Sequence, residues 1–449
     1  LYSQLIDVCG LFAFPHKTIF RSVNRKAHQK PKTFENLSSP GLKRMNKRIK
    51  ITLIRLVAFS ATLILGPTAV AQRDIGVGEV NVQRDVVPVV TRSQDVEALN
   101  ILKTAFSIHG RFRVANSMQE ASFAIQVDPV GSNHSTLKIF SGIPERLQYT
   151  TQVQGDSRRN SVLRAVDLAI YKTSGMRGFF GGKIAYVGEV GRGMEIYYRD
   201  FLFGEGKRLT SHGVEAVRPR WSPDGNYIVY TSYLSGFPNI RRIDIRGQRS
   251  EVMVDFKGTN SSARYSPDGT RLAMVLTGPG NADIYVGSSL AKGLKRIVNS
   301  NGLEATPCWS RDGREIIFAS DRNGGLALYR GSAAGGQFSH IPTQISGYCA
   351  EPDWNHADSD LIAFTVGVGN RFQVATYRFS TRKSEFLTNE RGDGIQPCWL
   401  NDGRHLIYTS RNGSDERIVL FDTVTKKRSI LSPAGLGKIN QASFLPPMG

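Results

Sequence analysis

Apolar positions follow two different periods along this chain. From residue 183 onward they alternate with polar ones over short runs: "YIVYTS" (227–232), "RLAMVL" (271–276), "EIIFAS" (315–320), "LIAFTV" (361–366) and "HLIYTS" (405–410). A period of two puts alternate side chains on one buried face and predicts strands. Each run leads into a Gly-rich turn such as "LSGFPN" or "DRNGG". A second run follows, for example "NIRRIDI" or "RIVLFDT", and then a shorter polar one. Upstream the period lengthens. In "SQDVEALNILKTAFSIHG" (93–110), Val96, Leu99, Leu102 and Phe106 lie at helical spacing, with Ser93 as N-cap and Gly110 as stop. "ASFAIQVDPV" and "STLKIFSG" read as strands, and "RRNSVLRAVDLAIYKTSG" (158–175) as a second helix ending at Gly175. Residues 72–178 are therefore expected to form a small α/β domain, joined to the strand-rich part by "MRGFFGG".

The strand-rich part is a repeat. "WSPDG" (221–225), "YSPDG" (265–269), "WSRDG" (309–313) and "WLNDG" (399–403) mark it, and the anchors Trp221, Tyr265, Trp309, Trp354 and Trp399 are spaced 44, 44, 45 and 45 apart. Four short strands per unit of about 44 residues is the pattern of a propeller blade, whose sheet buries both faces only by packing between neighbours. "KIAYVGE" (183–189) lies 44 residues before "YIVYTS" and has no aromatic-anchored strand ahead of it, while "INQASF" (439–444) places Phe444 45 residues after Trp399 with no strand behind it. The last strand should complete the first blade. The fold class is thus mainly β: a six-bladed propeller over 183–445, closed by pairing of the two ends, behind a small α/β domain. In the repeated phrase, proline fixes φ, aspartate caps the turn and glycine accepts positive φ. Asp224, Gly225, Asp268, Gly269, Asp312, Gly313, Asp402 and Gly403 are accordingly read as turn residues, not as a carboxylate constellation.

Composition changes little: 40% hydrophobic and 21% charged residues describe an ordinary globular chain. Charge needs dissection. Of the formal +20, residues 1–44 hold +6 and residues 45–71 hold +4. The remainder is scattered, so no nucleic-acid partner is expected. The chain begins at Leu1, and its first methionine, Met45, opens a leader: basic "MNKRIK", apolar "LVAFSATLIL", then "AVA" (69–71). We read 45–71 as a signal peptide cleaved after Ala71, and 1–44 as upstream translated sequence or a nonstandard extension. The mature protein is expected to be exported, soluble and monomeric. Cys308, Cys349 and Cys398 show neither a disulfide framework nor metal-ligand spacing, and read as small buried strand residues.

The leader, the α/β domain, the junction "GMRGFFGGKIAYV" (175–187) and six WSPDG-type blades, in this order, closely resemble the TolB family of periplasmic Tol–Pal propellers. The resemblance covers roughly 72–445. It implies a non-catalytic scaffold that binds the peptidoglycan-associated lipoprotein Pal over one mouth of the propeller, and a TolA-like inner-membrane protein through the mature N-terminus. Such a scaffold serves outer-membrane integrity and constriction during division. By position, the N-terminal segment is Gln72, Arg73, Asp74 and Ile75. The mouth is formed by loops leading into the innermost strands, which nominates Thr259, Asn260, Ser262, Ala305, Thr306, Glu351 and Gln396. Thr259 stands where the family pattern leads one to expect histidine. No cofactor is implied; a channel calcium ion would need converging carboxylates or carbonyls, which the sequence does not display.

The alternative is an exported propeller enzyme or binding module acting on glycans or peptides. A peptidase of the prolyl oligopeptidase type needs G-x-S-x-G, which is absent, as are HExxH and a P-loop. His212, His340, His356 and His405 are candidate channel histidines but share no repeat position, and His109 reads as a helix-end residue stabilised by the helix dipole.

Overall fold

The computed structural model describes residues 86–277 and 280–448. All of these fall within one compact unit. The leader, residues 1–44 and the segment Gln72–Ile75 lie outside the described residues.

The α/β layer opens with β1 (Val87–Arg92), α1 (Val96–Ile108), β2 (Phe112–Val114), β3 (Phe123–Val130), β4 (His134–Ser141), β5 (Arg146–Gln154) and α2 (Arg158–Ser174). Its sheet runs β2-β1-β3-β4-β5, with β1 parallel to both neighbours and the rest antiparallel. The N-cap of α1 is Asp95, not Ser93: the Asp95 carboxylate accepts from Ala98 N–H at 2.8 Å, while Ser93 Oγ accepts from Asp95 N–H at 3.1 Å. The stronger, charged acceptor takes the helix end and the serine sets the turn before it. α2 is capped by Ser157 and ends at Gly175, whose φ of 72° is left-handed. Both helices bury their apolar stripes, Ile101, Leu102 and Phe106 on α1 and Val162, Val166 and Ile170 on α2, against the sheet. No helix among the described residues is long and apolar enough to cross a membrane.

Six four-stranded antiparallel sheets follow. Blades 2 to 6 begin with the inner strands Ala216–Trp221, Asn260–Tyr265, Glu304–Trp309, Cys349–Trp354 and Asp393–Trp399. Blade 1 is split. Its inner strand, Ile439–Leu445, comes from the chain's end and pairs antiparallel with Lys183–Val190. Each inner strand carries an aromatic anchor that packs between blades; Trp221, Tyr265, Trp309, Trp354 and Trp399 are buried. Two of these indoles also bind the preceding blade, Trp221 Nε1 donating to Ser443 O at 3.1 Å and Trp309 Nε1 to Arg264 O at 3.0 Å.

The repeated phrase shapes the turn that follows. Ser222 Oγ donates to Asp224 Oδ1 at 2.5 Å and accepts from Tyr227 N–H at 2.9 Å, while Asn226 N–H reaches the same carboxylate at 3.1 Å. Ser266 with Asp268 and Ser310 with Asp312 repeat the arrangement. Gly225, Gly269, Gly313 and Gly403 have φ between 67° and 72°, the left-handed region where a side chain is strained. In blade 5, Asn355 Oδ1 does the work instead, accepting from Ala357 and Asp358 N–H at 3.0 Å each.

The α/β layer meets the propeller on the side of these turns. Phe179 and Phe180 of the junction are fully buried, and the Asp167 carboxylate on α2 accepts from Phe180 and Gly181 N–H, both at 2.8 Å. Asn401 in the blade 6 turn donates to Gly178 O at 3.0 Å. Gly178 must be glycine here, because a Cβ would stand 2.4 Å from the helix backbone at Asp167 Cα. His109 caps α1 but not as a cation on a dipole. It is wholly buried, stacked on Phe179 at 5.3 Å, and burial followed by the neighbouring His405 drives its pKa well down.

Candidate functional site

The six inner strands surround a channel, and each of them is interrupted by a bulge. Three residues before each aromatic anchor stand Arg218, Ser262, Thr306, Glu351, Gln396 and Gln441, with φ between 51° and 59°. They are six of the twelve non-glycine residues with positive φ among the described residues. Such a conformation strains any L-residue, most of all a β-branched one such as Thr306. All six line the channel. The bulge turns these six side chains into the lumen.

Neighbouring blades satisfy the displaced backbone. Gln441 Oε1 accepts from Arg218 N–H at 2.6 Å, Gln396 Oε1 from Gln441 N–H at 3.2 Å, and Glu351 Oε2 from Gln396 N–H at 3.2 Å. Threonines on the adjacent strands help: Thr231 accepts from Ser262 N–H, Thr365 from Gln396 N–H and Thr409 from Gln441 N–H. The Thr306 hydroxyl, by contrast, is buried without a hydrogen-bond partner. Burial raises the pKa of Glu351, opposed by the charge of Arg218 across the ring and by donors from Thr365 and Gln396.

Four of the seven residues read from the sequence, Ser262, Thr306, Glu351 and Gln396, therefore meet at this ring. The other three do not. Asn260 is 2% exposed, and its amide clamps its own loop, donating to Phe256 O at 2.7 Å and Pro238 O at 3.2 Å. Thr259 and Ala305 are buried beside it and in the inter-blade core. Sequence reasoning missed Arg218 and Gln441, although counting back three residues from Trp221 and Phe444 reaches both.

Two residues further along each strand lies a neck lined by Arg220, Arg264, Asp353, Cys398 and Ser443, with Cys308 buried behind it. Burial pushes the Cys308 thiol up to about 11 and Cys398 to about 12, so both are neutral. All three described cysteines are free. Asp353 accepts from Arg264 Nη2 at 2.5 Å and, through its other oxygen, from Trp399 N–H at 2.7 Å. With three guanidinium groups and two engaged carboxylates lining it, the channel does not fit a calcium ion, which wants several free oxygens.

The candidate histidines sit in four different parts of the ring: His212 after blade 1, His340 at the end of blade 4, His356 after the inner strand of blade 5, and His405 in blade 6. His405 faces the α/β layer. Its Nδ1 lies 2.5 Å from Asp402 Oδ2 and its Nε2 2.7 Å from His109 O. His109, Asp402 and His405 bring three ligating atoms within 4.8 Å of one another, but Asp402 and His405 hold each other directly, so the trio reads as a structural tie across the junction.

Residues 171–446 match the family model described as the TolB β-propeller domain. The chain belongs to the TolB β-propeller family. Curated TolB proteins of the Tol–Pal system are similar: that of Bordetella pertussis is 29% identical over 228 residues, 50% of this chain and 47% of that one. That of Francisella tularensis is 30% identical over 255 residues, 54% of this chain and 57% of its relative. The chain thus spans about half the length of the curated TolB proteins it matches. The crystal structure of TolB from Acinetobacter baumannii superposes with a TM-score of 0.72 at 21% identity, over 80% of this chain and 97% of that one. That extent exceeds the propeller strands alone, so the shared TolB fold includes elements ahead of the blades.

Proposed function

We propose that this chain is a non-catalytic binding scaffold of the Tol–Pal envelope system that holds a protein partner over the mouth lined by the left-handed ring. One observation carries the reading: six strained, non-glycine backbone positions recur at the repeat interval and all turn side chains into one opening. Strained positions held by their surroundings cluster at binding sites. Family membership supports Pal as the partner at this mouth, and a TolA-like protein as the partner of the segment near Gln72. It also supports export to the periplasm, where such a complex serves outer-membrane integrity during division. The ring offers amide, hydroxyl and charged groups around a polar rim, which suits a protein surface with satisfied hydrogen bonds.

The test distinguishes the two mouths. A photoreactive residue at position 262 or 441 is expected to cross-link to the soluble domain of Pal, and one at position 312, in a turn of the opposite mouth, is not. Cross-linking from 312 alone would overturn the assignment of the face.

A further inference from the structure

The neck of the channel contains a guanidinium that makes no ion-pair contact of its own among the described residues. Arg264 is paired with Asp353, and both Asp353 oxygens are already committed, to Arg264 and to Trp399 N–H. Arg220, beside them, has no ion-pair partner among the described residues; its recorded hydrogen bond is a long one, 3.4 Å from Nη1 to Ala442 O. Arg220 is only part-buried, so its unpaired guanidinium faces the channel. Burial and then the charge of Arg264 pull the Arg220 pKa down, and Asp353, already bound to Arg264, offsets this only in part. The two cysteines of the neck contribute no negative charge at neutral pH.

Below Arg220 the channel widens into a cavity of about 300 Å³ that opens between the repeated turns, on the side away from the left-handed ring. Its walls are largely apolar: Pro223, Pro267, Leu400, Leu445 and Pro446 line it, with the edges of the chain's four otherwise buried tryptophans. We propose that this lower cavity is a binding site for a carboxylate carried on a small apolar body, with Arg220 as the recognising cation. The planar fork of a guanidinium matches the two oxygens of a carboxylate. A phosphate would leave further oxygens facing this apolar lining, whereas an apolar body is what it accommodates. Arg264 stays with Asp353 and shapes the wall. The carboxylate can belong to a free small molecule or to the C-terminus of a polypeptide, and the site differs from the partner ring in both its face and its chemistry.

The tryptophans make the test direct, because intrinsic fluorescence reads the cavity itself. Benzoate titrated into the purified protein is expected to change tryptophan emission saturably, and benzamide, of the same shape without charge, is not. The peptide Gly-Gly-Phe and its C-terminal amide form the second arm. A response to Gly-Gly-Phe but not to benzoate identifies a polypeptide carboxylate, and the reverse a small molecule. Arg220→Gln should weaken binding at least about tenfold, since hydrogen bonds to a charged group are lost. Should Arg220→Gln fail to fold, Arg220→Lys, which keeps charge but loses the fork, should still bind more weakly. Equal responses to the acids and their amides, an unchanged affinity in a folded Arg220→Gln, or no saturable response to either acid would overturn the proposal.

Discussion

Replacing Thr306 by glycine and by alanine isolates the strain in the channel ring. Thr306 has a φ of 52°, and its Oγ1 is buried without a hydrogen-bond partner. The left-handed conformation costs an L-residue roughly 1–2 kcal/mol, at the upper end for a β-branched side chain. The unsatisfied hydroxyl adds roughly 1 kcal/mol. Against these, Thr306→Gly loses Cβ and its methyl group, roughly 1–1.5 kcal/mol for a part-buried side chain, and raises the entropy of the unfolded chain by roughly 0.5–1 kcal/mol. The net expectation is a small stabilisation of about 0.5 kcal/mol, or about 1 °C in Tm for a protein of this size. Thr306→Ala keeps the strain while losing hydroxyl and methyl, and should be close to neutral. The sign of the Gly–Ala difference is therefore diagnostic. In an ordinary strand glycine is roughly 0.5–1 kcal/mol less stable than alanine, and here the order should invert. Thermal unfolding followed by tryptophan fluorescence measures both variants under one condition. Alanine more stable than glycine at position 306 would refute the strained-ring reasoning. If the ring is a partner surface, Thr306→Gly should also bind Pal less tightly even as it gains stability.

Burial raises the Asp167 pKa to about 7 against the opposing amide donors, so the native state holds this proton more tightly than the unfolded chain does. Its contribution to stability is then present at low pH and lost as pH rises through about 7, so Asp167→Asn should gain on the wild type between pH 5 and pH 8; parallel Tm profiles would contradict this. Gly178→Ala should cost roughly 1–3 kcal/mol, because its Cβ meets helix backbone that cannot swing aside; a denaturant midpoint within error of wild type would count against the close approach. His405→Ala leaves Asp402 Oδ2 and His109 O without their buried partner and should cost about 3 kcal/mol, with hydrogen exchange rising first along the junction; unchanged protection there would remove the tie between the layers.

What could be read in the sequence was whatever repeats in residue identity. The aromatic anchors, the S-P-D-G turns and the split first blade follow from spacing, because one four-stranded sheet needs neighbours on both faces. The channel ring was half legible. Left-handed backbone is usually betrayed by glycine or asparagine, but here it is adopted by Arg218, Ser262, Thr306, Glu351, Gln396 and Gln441, held by donors and acceptors from the next blade. Only the interval to the aromatic anchor marks them. Asn260 misled for the opposite reason: a polar loop residue looks exposed, yet its amide serves its own backbone. Arg220 was hidden because a strand residue facing a lumen alternates in the same way as one facing a core. The bond from His405 to His109 O depends on the α/β layer docking beside blade 6, which no local pattern records.

The most direct test of the account is a calorimetric titration of the soluble domain of Pal into this protein and into Thr306→Trp, whose folding is verified by its melt. The account predicts saturable one-to-one binding to the wild type that the indole at position 306 abolishes. Binding of equal affinity to both proteins, or none to a folded wild type, would contradict it.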